Sequence, residues 1–337
     1  MYLGADLSFV NEIDDLGGVF YHQQQARDAF ELFHDFGANI VRVRLWHTPT
    51  VTTYSTLADV KRTLRRAKIL DMAVLLDFHY SDHWADPEKQ IIPAAWAKLP
   101  DLLALENAVY DYTHHVLLEL SAEGLTPEFV QVGNEINTEI LMTAPPTGAP
   151  INWARNVRLI NAGIEAVRDA SPQSRVLLHI AQPENIIPWF DAAISAGVSD
   201  FDIIGLSYYP KWSAYGIAGM AEAIGQVRER YHKEVMLVET AYPWTLTPNA
   251  VSEYLLGEDA LLPEYPATPA GQCRFLTDLT QATLNSGGMG VIYWEPAWIS
   301  VPSKPSHWEN AAFFDYQSRV HEGIQFLTHR YEQRTLE

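Results

Sequence analysis

Eight short, β-rich apolar runs recur along this chain with helical periods between them, and that alternation leaves few folds open. The runs are Tyr2–Phe9, Asn39–Leu45, Met72–Tyr80, Glu128–Asn134, Arg175–Ala181, Phe201–Tyr208, Glu234–Thr240 and Met289–Trp294. Most are near-continuous apolar segments, such as Val74-Leu75-Leu76-Asp77-Phe78, as parallel strands covered on both faces require. Between them, Ala26, Phe30 and Phe33 line one face of a helix that stops near Gly37. Leu57, Val60, Leu64 and Ala67 line the next, with Lys and Arg opposite. Leu102–Ala122 and Trp153–Ala170 read as longer amphipathic helices, the second ended by Ser171-Pro172. Thr268–Asn285 is a late helix closed by Gly287-Gly288. Eight βα alternations predict a single (β/α)₈ barrel over residues 1–337. An open doubly wound sheet has fewer strands, and no Gly-x-Gly-x-x-Gly follows the first one.

Charge and cysteine content narrow the function. Asp plus Glu number 42 against 23 Lys plus Arg, a net charge of −19. A surface this acidic repels phosphate backbones and anionic lipid, so neither nucleic acid nor membrane is expected as a partner. The one cysteine, Cys273, excludes an intrachain disulfide and a multi-cysteine metal site. No run of about 18 apolar residues predicts a transmembrane helix. The first residues, Met-Tyr-Leu-Gly-Ala-Asp, show no basic start and no long apolar core, so no signal peptide is visible. Aromatic residues make up 12% of the chain, with ten Trp and sixteen Tyr. They serve as large core side chains or as the walls of a carbohydrate cleft, where flat rings stack on sugar faces. The irregular stretches Ser81–Pro100, Ala144–Ile151, Tyr242–Pro269 and Glu295–Ala311 hold much of the Pro and Trp, and in this fold such loops build the active-site face.

Two strand ends carry carboxylates in apolar company: Val132-Gly133-Asn134-Glu135 and Leu237-Val238-Glu239-Thr240. One Glu at a strand end is commonly an ion-pair partner. Two, at the ends of the fourth and seventh strands of one barrel, can aim both carboxyls at one small volume. Glycoside hydrolysis needs such a pair, a proton donor on one side of the bond and a nucleophile or base on the other. Asn134 stands beside the first and can bond a neighbouring sugar hydroxyl. Arg44 closes the second strand, where a buried cation would keep Glu239 ionised and depress its pKa. Arg42, two residues earlier, faces the same way and is the alternative. Tyr208 and Tyr209 end strand six, and a phenol from either can donate to a carboxylate. His79 and His179 lie on strands three and five, Asp6 on strand one can pair with an arginine, and Trp294 on strand eight would floor the site.

Other chemistries fit less well. His79 and His83 are spaced i,i+4 near Asp77, Asp82 and Asp86, but Asp82–Pro87 reads as loop, so helical ligand spacing does not apply and no metal is expected. The loops after strands seven and eight open Ala-Tyr-Pro-Trp and Glu-Pro-Ala-Trp, unlike Gly-rich phosphate loops. Neither a P-loop nor a Gly-x-Ser-x-Gly elbow occurs.

At these residues the sequence resembles glycoside hydrolase family 53, the endo-β-1,4-galactanases, within the large clan of retaining (β/α)₈ glycosidases. The matching segments are Gly4-Ala5-Asp6-Leu7-Ser8, Val41-Arg42-Val43-Arg44-Leu45-Trp46, the long run from Asp77-Phe78-His79-Tyr80 through Trp84 to Pro87, Val130-Gln131-Val132-Gly133-Asn134-Glu135, Ser207-Tyr208-Tyr209-Pro210, Val238-Glu239-Thr240 and Tyr293-Trp294-Glu295-Pro296-Ala297-Trp298. The resemblance implies that Glu135 is the acid/base and Glu239 the nucleophile, with Trp84 and Trp298 among the substrate-binding residues. It favours Tyr209 over Tyr208 as the phenol on the nucleophile. It implies β-1,4-linked galactan, as in pectin side chains, or its oligosaccharides as substrate, and a secreted, periplasmic or cell-surface setting. Tyr242–Gln272 has no Asp/Gly/His/Asn-rich run of the kind that binds calcium in some bacterial members, so neither calcium nor any cofactor is expected.

These readings predict that the Glu135 and Glu239 carboxyls lie about 5–5.5 Å apart at the C-terminal mouth of the barrel. Glu295, also at a strand end, is expected to be structural or to touch the substrate's edge. The rival readings are a clan member acting on β-mannan or arabinogalactan oligosaccharides, an exo-acting β-galactosidase, and a sugar-binding barrel without turnover.

Overall fold

Parallel strands covered on both faces and joined by right-handed helical crossovers close on themselves when there are eight of them. In the computed structural model, which describes residues 1–332, they do so. The strands are β1 (Tyr2–Asp6), β2 (Ile40–Leu45), β3 (Ala73–Phe78), β4 (Phe129–Val132), β5 (Arg175–Ala181), β6 (Ile203–Tyr208), β7 (Glu234–Thr240) and β8 (Gly290–Tyr293). Each pairs in parallel with its sequence neighbour, and β8 returns to β1.

The eight expected runs are the eight barrel strands, but several end earlier than the apolar pattern suggests. Asn134, His79 and Trp294 lie just past the last paired residues of β4, β3 and β8. There the chain turns. Tyr80, Glu135, Gln182 and Glu295, which follow β3, β4, β5 and β8, all have a left-handed backbone, with φ of 49°, 45°, 65° and 50°. Non-glycine residues hold that conformation at a cost, and such strain collects at functional sites. Gly133 precedes the turn at Glu135 with φ of 82°, and a Cβ there would lie 2.5 Å from Ile136.

The helices pack outside. Those at Leu57–Ile69, Leu102–Ala122, Trp153–Ala170 and Pro269–Asn285 match the sequence expectation closely, and Thr56, Asp101, Asn152 and Thr268 cap them. Two more, Ile186–Ala196 and Ile217–Tyr231, follow β5 and β6. The first barrel helix is shorter than the pattern implied, Ala29–Asp35, and Ala26 belongs instead to a hairpin of Phe20–His22 with Gln25–Arg27. After β8 a 3₁₀ helix, Glu322–Thr328, packs beside Pro269–Asn285 where an eighth helix would stand.

Alternation along the strands sorts the barrel into layers. Outward residues such as Val41, Val43, Val74 and Leu76 join the main core under the helices. Inward residues Ile40, Leu75, Phe129, Leu177, Ile203, Met236 and Ile292 form an apolar plug. Two residues beyond Ile40, Leu75, Phe129 and Leu177 the inward positions are polar, Arg42, Asp77, Gln131 and His179, and Asp6 on β1 and Ser207 on β6, four past Ile203, join them, all buried. Strand β7 breaks the period. Leu237 pairs with Leu206, yet Glu239 pairs with Ser207, so Val238 is the extra residue of a β-bulge. Val238 belongs to the inner plug, and strict alternation would send Glu239 outward. The bulge turns it into the mouth of the barrel.

Candidate active site

The mouth opens into a cavity of about 620 Å³ lined by residues from most of the strand ends. Arg44, His79, Trp84, Asn134, Glu135, Tyr209, Glu239, Trp294 and Trp298 all line it. Asp6 and His179 do not reach the cavity surface; they lie in the buried polar layer beneath. The structure also adds residues that strand-end motifs did not single out, among them Asn137, Gln182, Asn185, Trp212 and Trp308.

Glu239 is held from two sides. An Arg42 guanidinium nitrogen lies 2.9 Å from its Oε1, and the Tyr209 hydroxyl donates to Oε2 at 3.0 Å. The expected pairing of Arg44 with Glu239 is therefore corrected. Arg42 and Arg44 do share the inward face, but two residues along a strand are a rise of about 6.6 Å. At that higher level Arg44 pairs with Glu295, and its guanidinium lies 4.2 Å from the Phe9 ring centroid and 4.4 Å from that of Trp84. Glu295 is completely buried and accepts from the Phe9 amide, so it is a structural partner that braces Arg44. Tyr209 fills the phenol position, while the Tyr208 hydroxyl donates away from the site to the Tyr215 carbonyl.

Arg42 also organises the layer below. It donates to Asp6 at 2.9 Å, to Asp77 at 2.8 Å, to Asn134 Oδ1 at 2.8 Å and to Gln131 at 3.2 Å. Burial works to raise the Asp77 pKa, but the Arg42 guanidinium and His79 outweigh it and the value falls below the usual range. His79 Nδ1 accepts from the Trp46 indole and the Ala85 amide, so its proton is on Nε2, 3.0 Å from Asp77. Asn134 donates to the Ala85 carbonyl at 2.8 Å.

Glu135 is partly open to the cavity, and its Oε1 accepts from Ser207 at 2.6 Å. Burial raises its carboxyl, and the neighbouring Glu239 charge raises it further against the opposing Ser207 bond. Burial raises Glu239 too, opposed by Arg42 and by the Tyr209 hydrogen bond. Two carboxyls this close titrate as a pair. Arg42 and Tyr209 both favour the charge on Glu239, which leaves the proton on Glu135. His179 is held neutral by burial and by Arg42.

Carboxylate oxygens of Glu135 and Glu239 and a ring nitrogen of His179 lie within 4.8 Å of one another. Among the described residues this is the cluster whose spacing a cation could bridge. The ring nitrogens of His179 are already committed to Ser207 and to the Gln131–Asn134 side, and Arg42 neutralises Glu239, so the donor set suits a proton better than a metal.

Aromatic rings wall the cavity. Trp294 lies between Trp84, Trp298 and Trp308, with centroids at 5.8, 6.1 and 4.7 Å. Trp212 packs edge-on to Tyr209 at 5.2 Å and is 48% exposed at the rim. The Trp298 indole N–H and the Arg44 Nε are buried without a protein acceptor among the described residues.

The same architecture recurs in known proteins. The chain is 53% identical over 325 residues to an arabinogalactan endo-β-1,4-galactanase of Cellvibrio japonicus, covering 93% of this chain and 86% of that protein. It is 33% identical to an endo-β-1,4-galactanase of Bacillus subtilis, covering 93% and 73% of the two. Among solved structures, a GH53 catalytic domain of Ignisphaera aggregans superposes with a TM-score of 0.89 at 32% identity, covering 98% of this chain and 96% of that one. A fungal β-1,4-galactanase gives 0.85 at 28%, covering 97% and 98%. The family model described as glycosyl hydrolase family 53 matches residues 2–327, and the chain belongs to that family.

Proposed function

We propose that this chain hydrolyses β-1,4-galactan internally, with retention at the anomeric carbon. The observation that carries the reading is the division of labour between two neighbouring carboxyls. Burial raises both, but Glu239 has a guanidinium and a phenol to hold its charge, whereas Glu135 has a serine hydroxyl alone and is raised further by the Glu239 charge. One oxygen of each lies within 4.8 Å of an oxygen of the other, an approach compatible with a retaining pair, whose carboxyl groups stand about 5–5.5 Å apart. The names of the relatives supply the substrate class.

In this reading Glu239 attacks the anomeric carbon while Glu135 gives its proton to the departing sugar oxygen. Glu135 then takes a proton from water, which releases the glycosyl group from Glu239. Arg42 and Tyr209 keep the nucleophile charged. Trp294 floors the reacting sugar. A polymer of this kind is met outside the cytoplasm, so the setting is secreted, periplasmic or cell-surface. The test is a digest of β-1,4-galactan with products resolved by size over time. Early mixed oligosaccharides support endo-action, and steady release of galactose alone from the start overturns it.

A further inference from the structure

The buried group that the double displacement leaves without a task is His179. It joins Glu135 through Ser207: the His179 Nε2 to Ser207 Oγ distance is 2.7 Å, and Ser207 Oγ to Glu135 Oε1 is 2.6 Å. Ser207 and His179 are both fully buried. The direction of this chain of hydrogen bonds depends on which ring nitrogen of His179 carries its proton.

Counting partners decides it. Nδ1 faces two donors, the Glu135 backbone N–H at 3.4 Å and Gln131 Nε2 at 3.2 Å, and one acceptor, Asn134 Oδ1 at 2.9 Å. Gln131 Nε2 gives one of its two hydrogens to Asp77 at 2.6 Å and points the other between Nδ1 and Asn134 Oδ1, which also accepts from Arg42 at 2.8 Å. A proton on Nδ1 would leave the Glu135 N–H facing another N–H, and it would draw the Ser207 hydrogen to Nε2 and away from Glu135 Oε1, to which Ser207 donates. A lone pair on Nδ1 satisfies that amide, and buried backbone donors are rarely left unpaired. The proton therefore belongs on Nε2, pointing at Ser207 Oγ. Ser207 in turn must direct its own hydrogen at Glu135 Oε1.

We infer that His179, acting through Ser207, is a positioning residue that selects which oxygen of Glu135 carries the acid proton. With Oε1 occupied by the incoming Ser207 hydrogen, a proton on Glu135 resides on Oε2, which has no protein hydrogen-bond partner among the described residues. This rests on the reading of Glu135 as acid/base. In the first step the Oε2 proton passes to the glycosidic oxygen as its bond to the anomeric carbon breaks and the bond to Glu239 forms. The same Ser207 bond then steadies the Glu135 carboxylate until it takes a proton from water. Without Ser207 the proton can settle on the buried oxygen, where it is useless for protonating the leaving group. The charged groups facing Glu135 are Glu239 on β7, Asp86 on the loop after β3 and Arg42 on β2, and none of them makes this selection between its two oxygens.

The experiment compares aryl β-1,4-galactobiosides whose leaving groups are phenol and 2,4-dinitrophenol. Phenol needs the acid proton, while dinitrophenolate leaves without it. Ser207→Ala should lose roughly tenfold or more in kcat/KM on the phenyl substrate, within the span general acids contribute, and at least tenfold less on the dinitrophenyl one. Ser207→Thr, which keeps the hydroxyl, should restore most of the phenyl activity. His179→Leu should show the same split, and it serves as the readout if Ser207→Ala fails to fold. Equal losses on both substrates in a folded variant would mean a purely structural role and overturn the inference. Galactan digestion by the wild type tests the proposed function separately, so either can fail alone.

Discussion

Arg42 lies 2.9 Å from Glu239, while Arg44, on the same face of the same strand, is turned to Glu295. The two arginines thus divide two carboxylates between two levels of the barrel. Arg42→Met should raise the pKa of Glu239, because the carboxylate loses its counter-charge, and so move the acidic limb of the pH–rate profile to higher pH. It should also cost about 3–5 kcal/mol of stability, since Asp6 and Asp77 lose the same partner in a buried site. Arg44→Met should leave the acidic limb in place. Chemical denaturation and pH–rate curves on the two variants separate the outcomes, and an acidic limb that moves for Arg44→Met alone would reverse the assignment.

The two carboxyls should be indispensable in different ways. Glu239→Ala and Glu135→Ala are each expected to lose at least ~10³-fold in activity, because each removes an interaction made mainly in the transition state. Azide should rescue both, giving the α-azide product with Glu239→Ala and the β-azide product with Glu135→Ala. Product anomers read by NMR check this, and swapped anomers would exchange the roles.

Stability should depend on pH in an unusual sense for a carboxylate. Burial raises Glu135, to about 8, so the folded chain holds this proton more tightly than the unfolded one. That contribution is complete below the ordinary carboxylate pKa and disappears as pH rises through about 8. Glu135→Gln, which cannot charge, should therefore be clearly more stable than wild type at pH 9 and nearly equal to it at pH 4. Melting curves at the two pH values measure the difference, and a gap that stays constant with pH would contradict it.

At the rim, Trp212 and Leu255 line the cavity and are each 48% exposed. Lys211 ties them together: it donates to the Leu255 carbonyl at 2.8 Å and pairs with Asp259 at 2.9 Å. Trp212→Ala should raise KM for long galactan by roughly 5- to 30-fold, about 1–2 kcal/mol of lost stacking, and change kcat little. Short galacto-oligosaccharides that do not reach the rim should be affected much less. End-labelled oligosaccharides of increasing length show where the effect begins.

Much of this was legible in the sequence because it depends on pattern. The eight apolar runs gave the strands, and Leu102–Ala122 and Trp153–Ala170 were readable to the residue because polar caps flank them. The two carboxylates stood out at strand ends, as did Arg44, His79 and Trp294. What escaped was level and partnership. Asp77, Gln131 and Ser207 lie inside strands, one step below the conspicuous positions, and look like isolated polar residues until the barrel closes and brings them round Arg42. Period-two counting back from His79 to Asp77 is the signal that would have found one of them. Trp212 and Trp308 come from loops, whose paths depend on the tertiary contacts that bind them. The hairpin at residues 20–27 was lost because Ala26, Phe30 and Phe33 happen to satisfy a helical period across its boundary.

The extra residue in β7 bears on how this protein can change over time. A substitution at Val238 alters packing in the plug but keeps the count of residues before Glu239. Losing the Val238 codon would pair Leu237 with Leu206 and Glu239 with Ser207 in plain alternation, so Glu239 would keep facing the barrel mouth. Both carboxyls would still face the cavity, and the loss would fall on the packing that Val238 gives the plug. A strand that kept Val238 but flattened it into the ladder would instead turn Glu239 toward the helices, so lineages descended from this chain are freer to shed the extra residue than to iron it out.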